Sequence, residues 1–218
     1  MDNGIKGVIF DLDGVLTCTA DYHYMAWKRV ADELGVYFDR TINERLKGID
    51  RIASLEIMLE RSENHYTPEE KMKIAGRKNG YYLELIGKIT PKDLYPGVLE
   101  LLERIKAGGI KTALGSASRN AFEITAKLGI KDYFDAIVDA NRINRGKPDP
   151  EIFITAAEMM GLKCSDCAVV EDSTAGIKAA KAAGMTAVAI GRPEQFPGAD
   201  LVYSETGELD LDDIDRNK

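Results

Sequence analysis

The sequence predicts an α/β fold: a doubly wound, Rossmann-like parallel sheet with a small α-helical domain inserted near its start. Three observations predict it. Short apolar runs such as Val8-Ile9-Phe10 and Ala168-Val169-Val170 have the length and continuity of strands covered on both faces. Beyond residue 96, helical and strand patterns alternate, which implies right-handed crossovers and parallel pairing. Residues 20–86 show helical periodicity with no strand-like alternation, so they read as an insertion.

In order, the first strand runs through Phe10 into Asp11-Leu12-Asp13-Gly14. Met25, Trp27, Val30 and Leu34 mark a helix over residues 22–34, stopped by Gly35. Ile52, Leu55, Met58 and Leu59 mark an amphipathic helix over 51–61. Thr67-Pro68-Glu69-Glu70 carries a capping residue, a first-turn proline and a glutamate three after the cap, so a third helix starts there and runs toward Ile86. Pro96-Gly97 opens a helix carrying Val98, Leu101, Leu102 and Ile105, and Gly108-Gly109 closes it before a strand at 110–114. Ser118 is the expected cap of a helix reaching Leu128. A short strand at 136–138, a helix over 149–160 and a strand at 168–170 come next. The alanine-rich helix 174–183, a strand at 186–190 and an edge strand at 201–203 complete the sheet, and the acidic residues 210–215 read as a solvated helix or tail. The expected division is an α/β core of residues 1–16 and 88–218 and a helical cap of residues 17–87.

A chain of 218 residues can bury one ample core and a small accessory one. With 44% hydrophobic and 30% charged residues, it has ordinary globular composition. The net charge of -7, without a Lys/Arg block, argues against nucleic-acid or anionic-membrane partners, so any anion site must be built locally. No signal-like or spanning segment precedes the first strand, and the expectation is a cytoplasmic monomer with a small-molecule partner. Three cysteines make no even disulfide framework, and Cys164 and Cys167 lack further ligands for a zinc site.

The chemistry concentrates after the strands. Side chains alternate along extended chain, so Asp11 and Asp13 share one side while Leu12 takes the other. In parallel sheets, ligands bind at such C-terminal ends. Taken alone, Asp-Leu-Asp-Gly also fits an Asx turn, Glu171-Asp172 a helix cap before Thr174, Lys147 a solvated charge and Ser116 a cap. As a set they suit phosphoryl transfer. A carboxylate can attack phosphorus, and a second can give and take the proton of the leaving oxygen. Glu171 and Asp172 add charge that costs about 4 kcal/mol per pair at 4 Å and an effective dielectric of 20. A hard cation such as Mg²⁺ relieves it, while Lys147 and Ser116 can meet the transferring oxygens.

The ordered set Asp11/Asp13, Ser116, Lys147 in Gly-Lys-Pro-Asp-Pro, and Glu171/Asp172 resembles the haloacid dehalogenase superfamily, whose members transfer phosphoryl groups through an aspartyl-phosphate. The resemblance implies Asp11 as nucleophile and Asp13 as acid and base. It also implies Mg²⁺ held by the Asp11 side chain, the Asp13 backbone carbonyl, Glu171 and Asp172. Further stretches resemble the helical-cap sugar phosphomutases of that superfamily: Leu46-Lys47-Gly48-Ile49-Asp50-Arg51 with Ser54, Arg77-Lys78-Asn79, Thr17-Cys18-Thr19-Ala20-Asp21-Tyr22-His23 with Trp27, Tyr95-Pro96-Gly97, and Ser116-Ala117-Ser118-Arg119-Asn120.

Such an enzyme holds a sugar bisphosphate in either orientation, so it needs a second, distal phosphate site. Arg51 offers a planar fork for it, with Lys47 as cationic neighbour. The resemblance adds Ser116, Arg119 and Asn120 at the distal phosphate, Ser54 and Lys78 as cap contacts, and Thr19 and His23 as hinge and proton-positioning residues. Gly48, Trp27, Ala117 and Ser118 join them as substrate-binding positions. The implied reaction interconverts β-glucose 1-phosphate and glucose 6-phosphate, with β-glucose 1,6-bisphosphate as primer and intermediate. A sugar-phosphate phosphatase of the same fold and a catalytically silent sugar-phosphate binder are the alternatives. Two positions depart from the pattern: Cys18 stands where relatives carry aspartate, and Arg119 where they carry lysine.

Overall fold

The computed structural model describes residues 4–217. Its centre is a six-stranded, wholly parallel sheet of β1 (Gly7–Phe10), β2 (Lys111–Ser116), β3 (Ala136–Asp139), β4 (Cys167–Glu171), β5 (Thr186–Ile190) and β6 (Leu201–Tyr203). The order is β3-β2-β1-β4-β5-β6. The chain fills one side of β1 and then the other, and this reversal opens a crevice at the strand ends beside β1.

Each face of the sheet has its own core, which is why β1 is apolar throughout. Val8 and Phe10 join Leu101, Leu102 and Ile105 of α5 (Val98–Ala107), Ile124 of α6 (Ala121–Lys127) and Ile214 of α9 (Leu211–Arg216). Ile9 packs on the other face against α7 (Glu151–Met160) and α8 (Thr174–Ala182). Covering both faces removes water from the backbone ladder and from the roots of the functional side chains.

Between β1 and α5 lie α1 (Ala20–Leu34), α2 (Arg40–Glu44), α3 (Arg51–Leu59) and α4 (Pro68–Ile86). Trp27, Phe38, Leu55, Met58 and Ile74 form a third core among these helices. Helices α1 and α4 also reach the sheet's core, through Ala26, Tyr82 and Ile86. The two chain passages into and out of the helical segment lie side by side: Thr17 pairs with Leu94, and its Oγ1 donates to the Asp93 carbonyl at 2.6 Å. Among the described residues, no helix is long and apolar enough to cross a membrane.

Several elements differ from the sequence reading. Helix α1 starts at Ala20, two residues early, and α3 ends at Leu59. Helix α2, five residues capped by the Asp39 side chain on the Ile42 N–H, is too short to show a period. Ser118 does not cap α6; Asn120 holds that place, and Ser118 Oγ accepts from the Asn120 N–H at 3.3 Å. Ser173, rather than Glu171 or Asp172, caps α8 by accepting from the Gly176 N–H. The acidic end is helix α9, anchored by the wholly buried Ile214 rather than solvated throughout. The capping box at Thr67 and the Gly35 stop, with φ 69°, are as expected.

Candidate active site

The ends of β1, β2 and β4 deliver Asp11, Ser116 and Glu171 to one crevice, in register because neighbouring parallel strands stop together. Leu12 turns into the core while Asp11 and Asp13 line the cavity. Gly14 follows with φ 83°, and a Cβ there would lie 2.0 Å from Asp172 Oδ2. That position therefore demands glycine both for backbone conformation and for the approach of Asp172.

Lys147 is buried and ties the strand ends together. Its ammonium donates to Asp11 Oδ1 at 2.7 Å, Glu171 Oε1 at 2.5 Å and the Gly115 carbonyl at 2.9 Å. Three donors on one nitrogen meet three acceptors, so the ion is fully satisfied. Its two anionic partners more than offset the burial that would otherwise discharge it, and its pKa is raised. The other Glu171 oxygen accepts from Ser173 N–H and Oγ–H at 2.9 and 2.8 Å.

Asp11 is pushed up to about 7, first by burial; Lys147 opposes this, and Glu171 and Asp13 reinforce it. Burial, with Glu171 and Asp11 beside it, also raises Asp172. Asp11, Glu171 and Asp172 can each turn one oxygen into a common space, all within 4.8 Å of one another. One ammonium against three carboxylates leaves negative charge in excess, and an all-oxygen donor set suits a hard divalent cation such as Mg²⁺. The Asp13 carboxylate lies outside this group.

Asp13 faces the helical segment. Its Oδ2 lies 3.7 Å from His23 Nε2, and its buried Oδ1 has no hydrogen-bond partner among the described residues. His23 Nδ1 is 2.8 Å from Lys78 Nζ, and the ammonium sits over the rings of Trp27 and Tyr82. Burial pulls Lys78 down to about 7, with Arg51 contributing, and lowers His23 as well. Thr19 Oγ1, Tyr82 Oη and His23 Nε2, all buried, likewise have no hydrogen-bond partner among the described residues. Two of these atoms, Asp13 Oδ1 and His23 Nε2, belong to side chains that line the cavity, as in a site shaped for a polar guest.

At the cavity's far end, Arg51 and Arg119 face each other closely enough that the Arg119 charge, after burial, lowers the pKa of Arg51. Arg51 donates to Asn79 and Arg119 to Asn141, both neutral amides. Asp50 fixes the start of α3 by accepting from the N–H groups of Ile52 and Ala53, and the Ser54 hydroxyl donates to the Asp50 carbonyl. Gly48, with φ 71°, brings its loop against Ser173 of the core.

Most of the expected residues thus line one cavity of about 90 Å³. Its walls carry Asp11, Asp13, His23, Trp27, Lys47, Gly48, Arg51, Ser54, Lys78, Ala117, Ser118, Arg119, Asn120 and Asp172. Thr19, Ser116, Lys147 and Glu171 do not line it but lie buried behind it. Lys47, expected as a cationic neighbour of Arg51, shares the cavity wall with it; its ammonium pairs with Glu44 at 2.8 Å and feels the charge of Asp172. Cys18 is exposed, with its thiol at the Tyr95 hydroxyl. Asn79, Tyr82 and Ser173 were missed as contributors, and only Asn79 lay in a stretch singled out beforehand.

Residues 5–184 match the family of haloacid dehalogenase-like hydrolases. The chain is 50% identical over 210 residues to β-phosphoglucomutase of Bacillus subtilis (strain 168), covering 95% of this chain and 93% of that one. A phosphorylated carbohydrates phosphatase of Thermotoga maritima is 34% identical, with 83% and 82% covered. The crystal structure of β-phosphoglucomutase from Clostridium difficile superposes with a TM-score of 0.94 at 42% identity, covering 98% of this chain and 96% of that one.

Proposed function

The chain belongs to the family of haloacid dehalogenase-like hydrolases, and on that premise we propose that it is a phosphomutase interconverting β-glucose 1-phosphate and glucose 6-phosphate through β-glucose 1,6-bisphosphate. The observation that carries the reading is the two-ended cavity: carboxylates and a buried ammonium at one end, and at the other Arg51 and Arg119, which have no carboxylate partner among the described residues. A hydrolase needs one phosphate site; an enzyme that returns a bisphosphate in the reverse orientation needs two.

In this reading an Asp11 oxygen attacks the phosphorus and forms the acyl phosphate. The bond to the leaving sugar oxygen breaks, and Asp13 supplies that oxygen's proton. In the second half the other sugar hydroxyl attacks the acyl phosphate, Asp13 takes its proton, and Asp11 leaves as carboxylate. Lys147 stays charged beside Asp11 and balances the transferring oxygens; Ser116 donates to them. Asp11, Glu171, Asp172 and the Asp13 carbonyl would hold Mg²⁺, which neutralises charge on the phosphoryl group. His23 turns Nε2 toward Asp13 and keeps its carboxyl aimed at the sugar.

Residues 17–87 act as a cap that lifts for exchange and, when seated, excludes water so that the sugar hydroxyl is the acceptor. On this reading the protein works as a cytoplasmic monomer, and its charge of -7 favours a soluble, separate chain.

The test supplies purified protein with Mg²⁺, β-glucose 1-phosphate and a trace of bisphosphate primer. Glucose 6-phosphate as product supports the mutase; free phosphate in its place makes the protein a phosphatase, and binding without turnover makes it a silent binder.

A further inference from the structure

The distal end of the cavity brings two guanidinium groups together, and its polar bonds converge on a residue not yet given a role. Asn79, on α4, presents its amide oxygen to Arg51 Nη2 at 2.7 Å and to Asn120 Nδ2 at 2.9 Å. Arg51 begins α3 and Asn120 ends the loop after β2, so one oxygen joins three segments, two in the helical insertion and one on the sheet. The orientation of the amide is fixed by its partners, since its NH₂ group turned this way would oppose two donors. Both bonds are partly buried, where a lost acceptor is not fully replaced by water.

We propose that Asn79 is a positioning residue for the distal phosphate, holding Arg51 and Asn120 in register across the cap and core before the anion arrives; the proposal rests on the two-phosphate reading above. The chemistry favours a neutral oxygen at this point. It satisfies one of five guanidinium N–H groups and one of two amide N–H groups, which leaves the rest for phosphate oxygens. A carboxylate there would pair with Arg51, cancel the charge that attracts the dianion and repel it. An apolar side chain would leave the cap and core halves of the site unlinked.

The test separates the two ends of the cavity. Asn79→Ala and Asn79→Asp are compared with the unaltered protein in two reactions: turnover of β-glucose 1-phosphate with primer, and phosphorylation of Asp11 by acetyl phosphate, which carries no second phosphate. Losing a hydrogen bond to a charged group should raise KM for the sugar phosphate roughly tenfold in Asn79→Ala. Asn79→Asp should raise it at least as much. Phosphorylation by acetyl phosphate should change less than twofold in both. An unchanged KM in the two variants overturns the proposal, and so does an equal loss with both donors, which marks a general structural defect. If the unaltered protein takes phosphate from acetyl phosphate but does not convert the sugar phosphate, the mutase reading fails, independently of the variants, and the proposal falls with it.

Discussion

Lys78 Nζ lies 2.8 Å from Nδ1 of His23, and its contacts among the described residues include aromatic faces rather than a carboxylate at ion-pairing distance. Two basic groups that share a hydrogen bond cannot both hold their full complement of protons. Lys78 donates to Nδ1, which places the remaining imidazole proton on Nε2, toward Asp13. The energetic consequence has a definite sign. Lys78 titrates at about 7 in the fold against 10.5 in an open chain. Between those values the unfolded chain holds the extra proton, so stability rises with pH; below about 7 both states hold it and the fold carries the full cost. Lys78→Met should therefore stabilise the protein below pH 7 by about 1–3 kcal/mol, after allowing for the bond lost at His23. The gain should fade as pH approaches 10. Urea denaturation at pH 6 and pH 9.5 reads it; equal destabilisation at both would show a lysine that the fold favours.

Lys147 is the opposite case, a buried cation met by two carboxylates and a carbonyl. Removing it leaves Asp11 and Glu171 facing each other without a counter-charge. Lys147→Met should cost about 3–5 kcal/mol at neutral pH, as when one partner of a buried ion pair is removed. It should also abolish turnover. The stability loss should shrink as pH falls and the carboxylates take up protons, which denaturation at pH 7 and pH 5 would measure.

The contrast between these lysines shows what was legible in the sequence. The path from Val8 to Asp13 could be read because strand geometry is local: alternation sends Leu12 inward and the aspartates to the cavity. Ser173 was hidden by its neighbour, since Asp172 is an equally good capping residue and only the coordinates show which oxygen meets the Gly176 N–H. Asn79 was hidden by distance. Its partners lie 28 and 41 residues away, and nothing in the pattern of α4 marks a side chain whose acceptor serves another segment. For Lys47 the charge is visible in the sequence, but its pairing with Glu44 and its approach to Asp172 are set by the fold.

Gly48 marks where the cap loop meets the core. Its φ of 71° belongs to the left-handed region, and a Cβ would lie 2.3 Å from Ser173 Oγ. Gly48→Ala should cost roughly 1–2 kcal/mol through backbone strain alone. The clash lies between cap and core, so the loop would be held away from the seated position. An ångström of misplacement at a reacting centre is worth about a hundredfold in rate. The expected outcome is a kcat/KM for β-glucose 1-phosphate reduced by roughly that factor, with a modest loss of stability in thermal denaturation. Near-normal kcat/KM would show that the loop does not govern closure.

The carboxylate end makes the last prediction, through magnesium. Asp11, at about 7, and Asp172 both have pKa values above the ordinary carboxylate range, so without a cation their ionisation works against the fold. The unfolded chain loses the Asp11 proton near pH 4 and the folded chain only near 7, with Asp172 displaced in the same direction, so in chelator stability falls as pH rises through that window. A divalent cation that binds the ionised group reverses the sign of the interaction. At a hundred times its dissociation constant, Mg²⁺ should stabilise the protein by about 2.7 kcal/mol, and by less at pH 5 than at pH 8. Asp172→Asn removes one oxygen anion from the cluster and one source of repulsion. It should be more stable than the unaltered protein in chelator at pH 8, yet gain little from added Mg²⁺. Urea denaturation of both proteins with and without the ion gives the four numbers. An equal magnesium gain in the variant would remove Asp172 from the cation site.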